Sequence, residues 1–241
     1  MTNLLSFLKP RHAGLNCSVV VVAAGTASRM QGIDKVLAPL CGVPILVRTL
    51  QVFQTHSDVA EIVVVTREDL LVEISNLCKE YSLDKVCKIV VGGAERTLSV
   101  RAGLREVNRD AQLIAIHDGA RPFLTQSALD EVLHQAASSG AAAPAVPVND
   151  TIKRAQNSIV QETVDRSALW AIQTPQVFQA DLIRAAVEKA VADGAPITDD
   201  CSAVERLGMQ VVLTTGDRQN IKVTTPFDLV LGEAILAQRG E

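Results

Sequence analysis

The chain has 241 residues, with 23 Lys+Arg against 27 Asp+Glu and a formal net charge of −4, a length that suits one large α/β domain. Hydrophobic residues make up 48% and charged residues 21%, which excludes a disordered chain, and net acidity argues against a general nucleic-acid or anionic-membrane binder. Aromatics at 3% leave no stacking platform for single strands, and no apolar run approaches the ~20 residues of a membrane span.

Leu4, Leu5, Phe7 and Leu8 precede Lys9, Arg11 and His12, the reverse of a secretory signal, so residues 1–16 read as a loose leader and the protein as cytoplasmic. Cys17, Cys41, Cys78, Cys87 and Cys201 are widely spaced and contain no C-x-x-C pair. They read as small apolar residues in a reducing compartment, not as a metal or redox site. Val- and Ile-rich runs at 18–23, 61–66, 88–91 and 113–117 predict buried parallel strands. Between and after them, helical spacing predicts helices over 44–54, 70–81 (capped by Thr66 with Asp69), 98–107 and 125–137. Strand and helix in alternation imply crossover connections and a mostly parallel sheet.

The pattern changes after the Ala-rich residues 141–146. Residues 151–155 and 159–163 alternate loosely around Gln156-Asn157-Ser158 and predict a polar hairpin. Such a ribbon is marginal alone, so it is expected to pack on its own core or on a second subunit. A helix over 180–193 stopped by Gly194 follows, then one over 199–207 capped by Thr198 and a strand over 210–214. Thr225-Pro226 opens a last helix with Asp228 at its third position. Without repeats or a dividing linker, residues 1–241 read as a single domain.

Four segments can carry chemistry. Ala23-Ala24-Gly25 at the end of the first strand would let backbone N–H groups approach phosphates, and Arg29 and Lys35 add cations just beyond. Asp118 ends another strand, suited to Mg²⁺ or substrate hydroxyls, with Arg121 three residues on as a phosphate clamp. Gly92-Gly93 with Arg96 and Ser99 could shape a base pocket. Lys222, read as lying on a short strand, stands beside the last helix. Each segment alone also reads as an ordinary turn or solvated edge; their ordered co-occurrence does not.

From about Cys17 to Ala237 the chain resembles the 2-C-methyl-D-erythritol 4-phosphate cytidylyltransferases. The resemblance is carried by A-A-G-x-x-x-R-M at 23–30, Lys35, G-G-x-E-R-x-x-S-V at 92–100, H-D-x-A-R-P at 117–122 and D-T-I-K-R at 150–154. It continues through V-D-R-x-x-L-W-x-x-Q-T-P-Q at 164–176, I-T-D-D at 197–200 and N-I-K-V-T-x-P-x-D-L at 220–229. It implies a Rossmann-like nucleotidyltransferase fold, a mostly parallel twisted sheet flanked by helices with a protruding β-hairpin arm over 149–167. The implied reaction transfers CMP from CTP to a polyol phosphate with Mg²⁺, in a homodimer with exchanged arms.

By resemblance Arg29, Lys35 and Lys222 are catalytic, and Ala23, Ala24, Gly25, Gly93, Arg96, Ser99 and Ala120 bind CTP. Asp118 meets the acceptor or the metal, Thr151 and Arg166 reach the neighbour's acceptor, and Arg121, Thr174 and Thr198 complete that site. Ala27 stands where the family usually has a second glycine, Ala94 and Gln219 where it often has polar and acidic residues, and Gly119 where Ala is more usual. A ribitol 5-phosphate cytidylyltransferase shares most of these requirements. The 150–166 arm and the Q-T-P-Q element argue against a hexose-phosphate nucleotidyltransferase. A catalytically inactive CTP-binding protein is the alternative from another class.

Overall fold

The computed structural model describes residues 14–25 and 34–240. In chain order, β1 (Cys17–Val22) is followed by a small hairpin of β2 (Pro39–Leu40) and β3 (Val43–Pro44), then α1 (Ile45–Thr55), β4 (Val59–Thr66) and α2 (Leu71–Glu80). Next come β5 (Val86–Val91), α3 (Arg96–Glu106), β6 (Leu113–Asp118), α4 (Gln126–Ser139) and β7 (Ala141–Pro147). The arm consists of β8 (Lys153–Gln156) and β9 (Ile159–Thr163), after which β10 (Trp170–Ile172) and β11 (Gln176–Gln179) return to the sheet. The chain continues through α5 (Ala180–Ala192), α6 (Asp200–Glu205), β12 (Val212–Thr215) and α7 (Pro226–Arg239).

β5, β4, β1 and β6 run parallel side by side. β11 then pairs antiparallel with β6, and β7 carries β11 and β10 antiparallel along one edge and β12 parallel along the other. The helices cover both faces because the central strands carry apolar residues on both. Val19, Val21, Ile62 and Val64 pack with Leu50, Phe53, Leu129 and Val132 on one side. Val20, Val63, Val65, Ile114 and Ile116 pack with Leu104, Ile183, Val187 and Val204 on the other. α3 lies close to the sheet: a Cβ on Gly103 would fall 2.5 Å from Val20 Cγ1 and 2.8 Å from Val65 Cγ2. A third cluster of Leu40, Ile45, Phe123, Val223, Ile235 and Leu236 seats α7.

Several expectations need correction. The Ala-rich stretch, given no element from sequence, is a strand, β7; paired along both edges and covered on both faces, it has room only for small side chains. Thr66 does not cap α2, because pairing with Val91 holds it as the last residue of β4; a 3₁₀ turn, Glu68–Leu70, leads into the helix. Asp199, not Thr198, caps α6: its carboxylate accepts from the Ser202 N–H at 3.0 Å, and the Ser202 hydroxyl receives the Asp199 N–H in return. Lys222 lies on no strand; its segment is held by the Val223 N–H donating to the Ala120 carbonyl at 2.8 Å. The hairpin itself is present. Asn157 and Ser158, at φ +50° and +63°, make its turn.

Candidate active site

β1 and β6 are the neighbours at which the order of the parallel strands reverses, and their carboxyl ends open on a cleft of about 290 Å³. Ala23, Ala24 and Gly25 form one wall, Asp118, Gly119 and Ala120 another, and Gly93, Arg96 and Ser99 a third; Lys35 and Lys222 close it. The walls are laced backbone to backbone: Ala23 N–H to the Val65 carbonyl, Gly92 N–H to the Thr66 carbonyl and Gly119 N–H to the Val22 carbonyl, at 2.7–2.9 Å. Small residues are required at the junction. A Cβ on Gly92 would lie 2.7 Å from both Ala24 Cβ and Ser99 Oγ.

Asp118 is the electrostatic centre. Lys222 Nζ stands 2.9 Å and Arg121 Nε 3.3 Å from its Oδ2, and Arg96 Nε 3.8 Å from its Oδ1. Burial disfavours the carboxylate, but the charges of Lys222, Arg96 and Arg121 prevail and hold its pKa well below the usual range. Arg121 also donates to the Asn220 carbonyl at 2.8 Å, tying the Lys222 segment to the end of β6. Behind Asp118 a buried chain fixes its backbone. The Asp118 N–H donates to Thr174 Oγ1 at 3.1 Å, that hydroxyl donates to His117 Nδ1 at 3.0 Å, and His117 Nε2–H donates to the Arg121 carbonyl at 3.1 Å. A carbonyl only accepts, so Nε2 carries the proton. Burial above all pushes His117 down to about 4, leaving it neutral near pH 7 and structural.

Arg96 is fastened from below. Its Nη1 and Nη2 donate to the two carboxylate oxygens of the buried Asp200 at 2.9 and 2.7 Å, a bidentate pair. Burial opposes the charged guanidinium, but Asp200, then Asp118 and Asp199, raise its pKa above the ordinary value.

The cleft therefore brings together Ala23, Ala24, Gly25, Lys35, Gly93, Arg96, Ser99, Asp118, Ala120 and Lys222, as expected from sequence. Arg29 lies outside the described residues, as does Ala27. Arg121 and Thr174 sit behind the lining, and the Thr174 hydroxyl is already used between Asp118 and His117. The Ser99 hydroxyl accepts the Gly93 N–H and donates to the Glu95 carbonyl, so it shapes the loop from within. Thr151 and Arg166 are exposed on the arm, where Arg166 donates to the Asn149 carbonyl; Thr198 is exposed ahead of α6. Sequence reasoning missed Asp200 as the anchor of Arg96 and His117 as the strut behind Asp118. The I-T-D-D motif contained the signal for Asp200, since Asp199 alone satisfies the cap.

Helices on both faces of a mostly parallel sheet, with a cation-lined cleft at its switch point, define an α/β protein of the nucleotidyltransferase kind. Residues 17–238 match the family model described as IspD: 2-C-methyl-D-erythritol 4-phosphate cytidylyltransferase. Enzymes of that name from Bacillus velezensis (44% identical over 220 residues, 90% of this chain and 94% of the relative) and Halalkalibacterium halodurans (45% over 223 residues, 92% and 97%) are similar along nearly their whole length. A crystal structure of 4-diphosphocytidyl-2C-methyl-D-erythritol synthase from Anaerococcus prevotii superposes with a TM-score of 0.82 at 28% identity, covering 93% of this chain and 97% of that one. The cytidylyltransferase of Thermus thermophilus does so with 0.76 at 32%, covering 90% and 98%. The chain belongs to the 2-C-methyl-D-erythritol 4-phosphate cytidylyltransferase family.

Proposed function

We propose that this chain transfers the cytidylyl group of CTP to 2-C-methyl-D-erythritol 4-phosphate, giving 4-diphosphocytidyl-2-C-methyl-D-erythritol and pyrophosphate in the non-mevalonate isoprenoid pathway. The observation that carries this reading is the cleft, where Lys35 and Lys222 line one cavity with the Ala23–Gly25 loop, Gly93 and the anchored Asp118. An oxygen of the acceptor phosphate attacks the α-phosphorus of CTP in line; the new P–O bond forms as the bond to the bridging oxygen breaks, and pyrophosphate leaves with that electron pair. The acceptor phosphate has a second pKa of ~6 and is already anionic, so no general base is required. A neutral, buried His117 is consistent with that.

The task left to the chain is to align two anions and neutralise charge growing on the α-phosphate. Lys35, Lys222 and Arg29 are proposed for that role, and the Ala23–Gly25 backbone and Gly93 are proposed to hold CTP. The acceptor would lie against Asp118, with Arg121 behind. A metal ligand role for Asp118 fits poorly: its oxygens face three cations, and the described residues contain no group of three acidic, His or Cys side chains able to hold an ion. Mg²⁺ belongs with the triphosphate in this proposal, where it would supply counter-charge.

The arm is proposed to cross to a second copy of the chain, carrying Thr151 and Arg166 to the neighbour's acceptor. In support, β8 and β9 form a two-stranded sheet of their own, every residue of which is exposed, including Ile159 and Val160. Among the described residues no helix is long and apolar enough to cross a membrane. The test is pyrophosphate release from CTP with Mg²⁺, with methylerythritol 4-phosphate and ribitol 5-phosphate supplied separately. Release with the first alone is expected. Release with ribitol phosphate alone would change the acceptor, and silence with both would favour an inactive CTP-binding protein.

A further inference from the structure

Arg67 follows the last residue of β4, outside the cleft lining, and no motif of the sequence points to it. Its Nε and Nη2 donate to the two carboxylate oxygens of Asp69 at 3.1 and 3.0 Å, which fixes the plane of the guanidinium. So oriented, Nη1 donates to the Gly25 carbonyl at 3.4 Å, and Nη2 pairs with Asp34 Oδ2 at 2.7 Å. Gly25 and Asp34 are the residues on either side of 26–33, and each is part of the cleft wall or adjoins it. Gly25 lines the cleft, and Asp34 immediately precedes Lys35, which also lines it. Asp34 begins the turn that presents Lys35: its Oδ1 accepts the Val36 N–H at 3.1 Å, and its carbonyl accepts the N–H groups of Leu37 and Ala38 at 3.1 and 2.9 Å.

We propose that Arg67 is a positioning residue for nucleotide binding, a single guanidinium that fixes the distance between the Ala23–Gly25 wall and the turn carrying Lys35. The proposal deepens the reading of the cleft as a CTP site and rests on it. One cation joins the two chain segments, and a carbonyl that would repel a triphosphate is instead bonded to a group outside the cleft. Lysine supplies a point charge and no fork, so it can reach Asp34 or Asp69 but cannot reproduce the whole arrangement.

The test uses the full chain. Affinity for CTP without acceptor is measured by calorimetry, steady-state kinetics with both substrates are recorded, and the unfolding midpoint is followed alongside. Arg67→Ala is expected to raise the Kd for CTP about tenfold and to lower turnover at least as much, in line with the sensitivity of reacting groups to misplacement by about 1 Å. The KM for the polyol phosphate is expected to stay near the wild-type value. The unfolding midpoint should move by no more than about 2 °C. Arg67→Lys should recover part of the loss, and adding Asp34→Asn to Arg67→Ala should cost little more than Arg67→Ala alone. CTP affinity and turnover within about twofold of wild type would overturn the proposal, as would a drop in midpoint that tracks the lost activity or full additivity of the two substitutions. A wild-type chain that binds CTP but releases no pyrophosphate would overturn the proposed reaction instead, and the CTP affinities would still decide the role of Arg67.

Discussion

Lys35 and Lys222 line the same cleft at different places. Lys222 stands 2.9 Å from Asp118. Lys35 lies beside Gly25, whose ideal Cβ position is 3.7 Å from its Nζ. A cation there meets charge that grows on the α-phosphate as pyrophosphate departs. Lys35→Ala is therefore expected to lower turnover by about 10²–10³, on the scale of a deleted oxyanion donor, while weakening CTP binding far less. Single-turnover rates set beside CTP affinity check this; equal losses in both would make Lys35 a ground-state binder. Much of this chemistry is legible in the sequence because each wall of the cleft is one short segment: A-A-G brings small residues and a glycine, G-G-x-E-R glycines with charge, and H-D-x-A-R-P charges of both signs. The Arg96–Asp200 pair is not, since 104 residues separate its members and neither type predicts the other. The hydrogen bonds that the Thr174 and Ser99 hydroxyls make within the protein were not legible for a related reason. A hydroxyl named in a motif does not disclose whether it faces the ligand or the wall behind it.

Among the elements, strands buried on both faces declared themselves by their Val and Ile content, and helices by their periodicity. β7 did not, because alanine marks no period, and β10 and β11 are too short to carry one. The arm was legible by its polarity and its Asn-Ser turn. Its root is pinned to the body: Arg218 donates to the Pro147 carbonyl at 3.0 Å and to Asn149 Oδ1 at 2.7 Å, and the Val148 N–H donates to the Leu169 carbonyl at 3.1 Å. A firm root and an exposed tip suit an element that delivers side chains elsewhere. If Arg166 serves the neighbour's site, Arg166→Ala raises the KM for the acceptor and leaves that for CTP nearly unchanged. Mixing Lys35→Ala chains with Arg166→Ala chains, at an acceptor concentration where each alone turns over slowly, then restores activity, since each mixed dimer holds one intact site. Titration of one variant into the other under turnover conditions measures it, and no recovery would refute exchange.

For the whole molecule, the buried polar chain behind Asp118 links stability to pH. His117 is neutral when folded, with its pKa pushed down to about 4 from the ordinary 6.5. Below pH 6.5 the unfolded chain binds a proton that the folded chain refuses. Stability is thus fully present above that value and is lost as pH falls toward 4, by about 3 kcal/mol in all. Asp118, with its lowered pKa, acts in the same direction at still lower pH. The urea midpoint measured from pH 7 to pH 4 is expected to fall across this window, and His117→Gln to flatten the slope.

β7 and β10 are hydrogen-bonded neighbours in the sheet, yet the chain leaves one, runs out along the arm and returns to the other. Such an excursion can lengthen or shorten without disturbing the register of a single strand, because closing a longer loop costs only about 0.6 kcal/mol per doubling. The parallel half, which holds the proposed nucleotide site, has no comparable slack: a Cβ added at Gly92 or Gly103 has nowhere to go. A fold of this design, then, can vary the reach of its arm while the side-chain sizes around the proposed nucleotide site stay fixed.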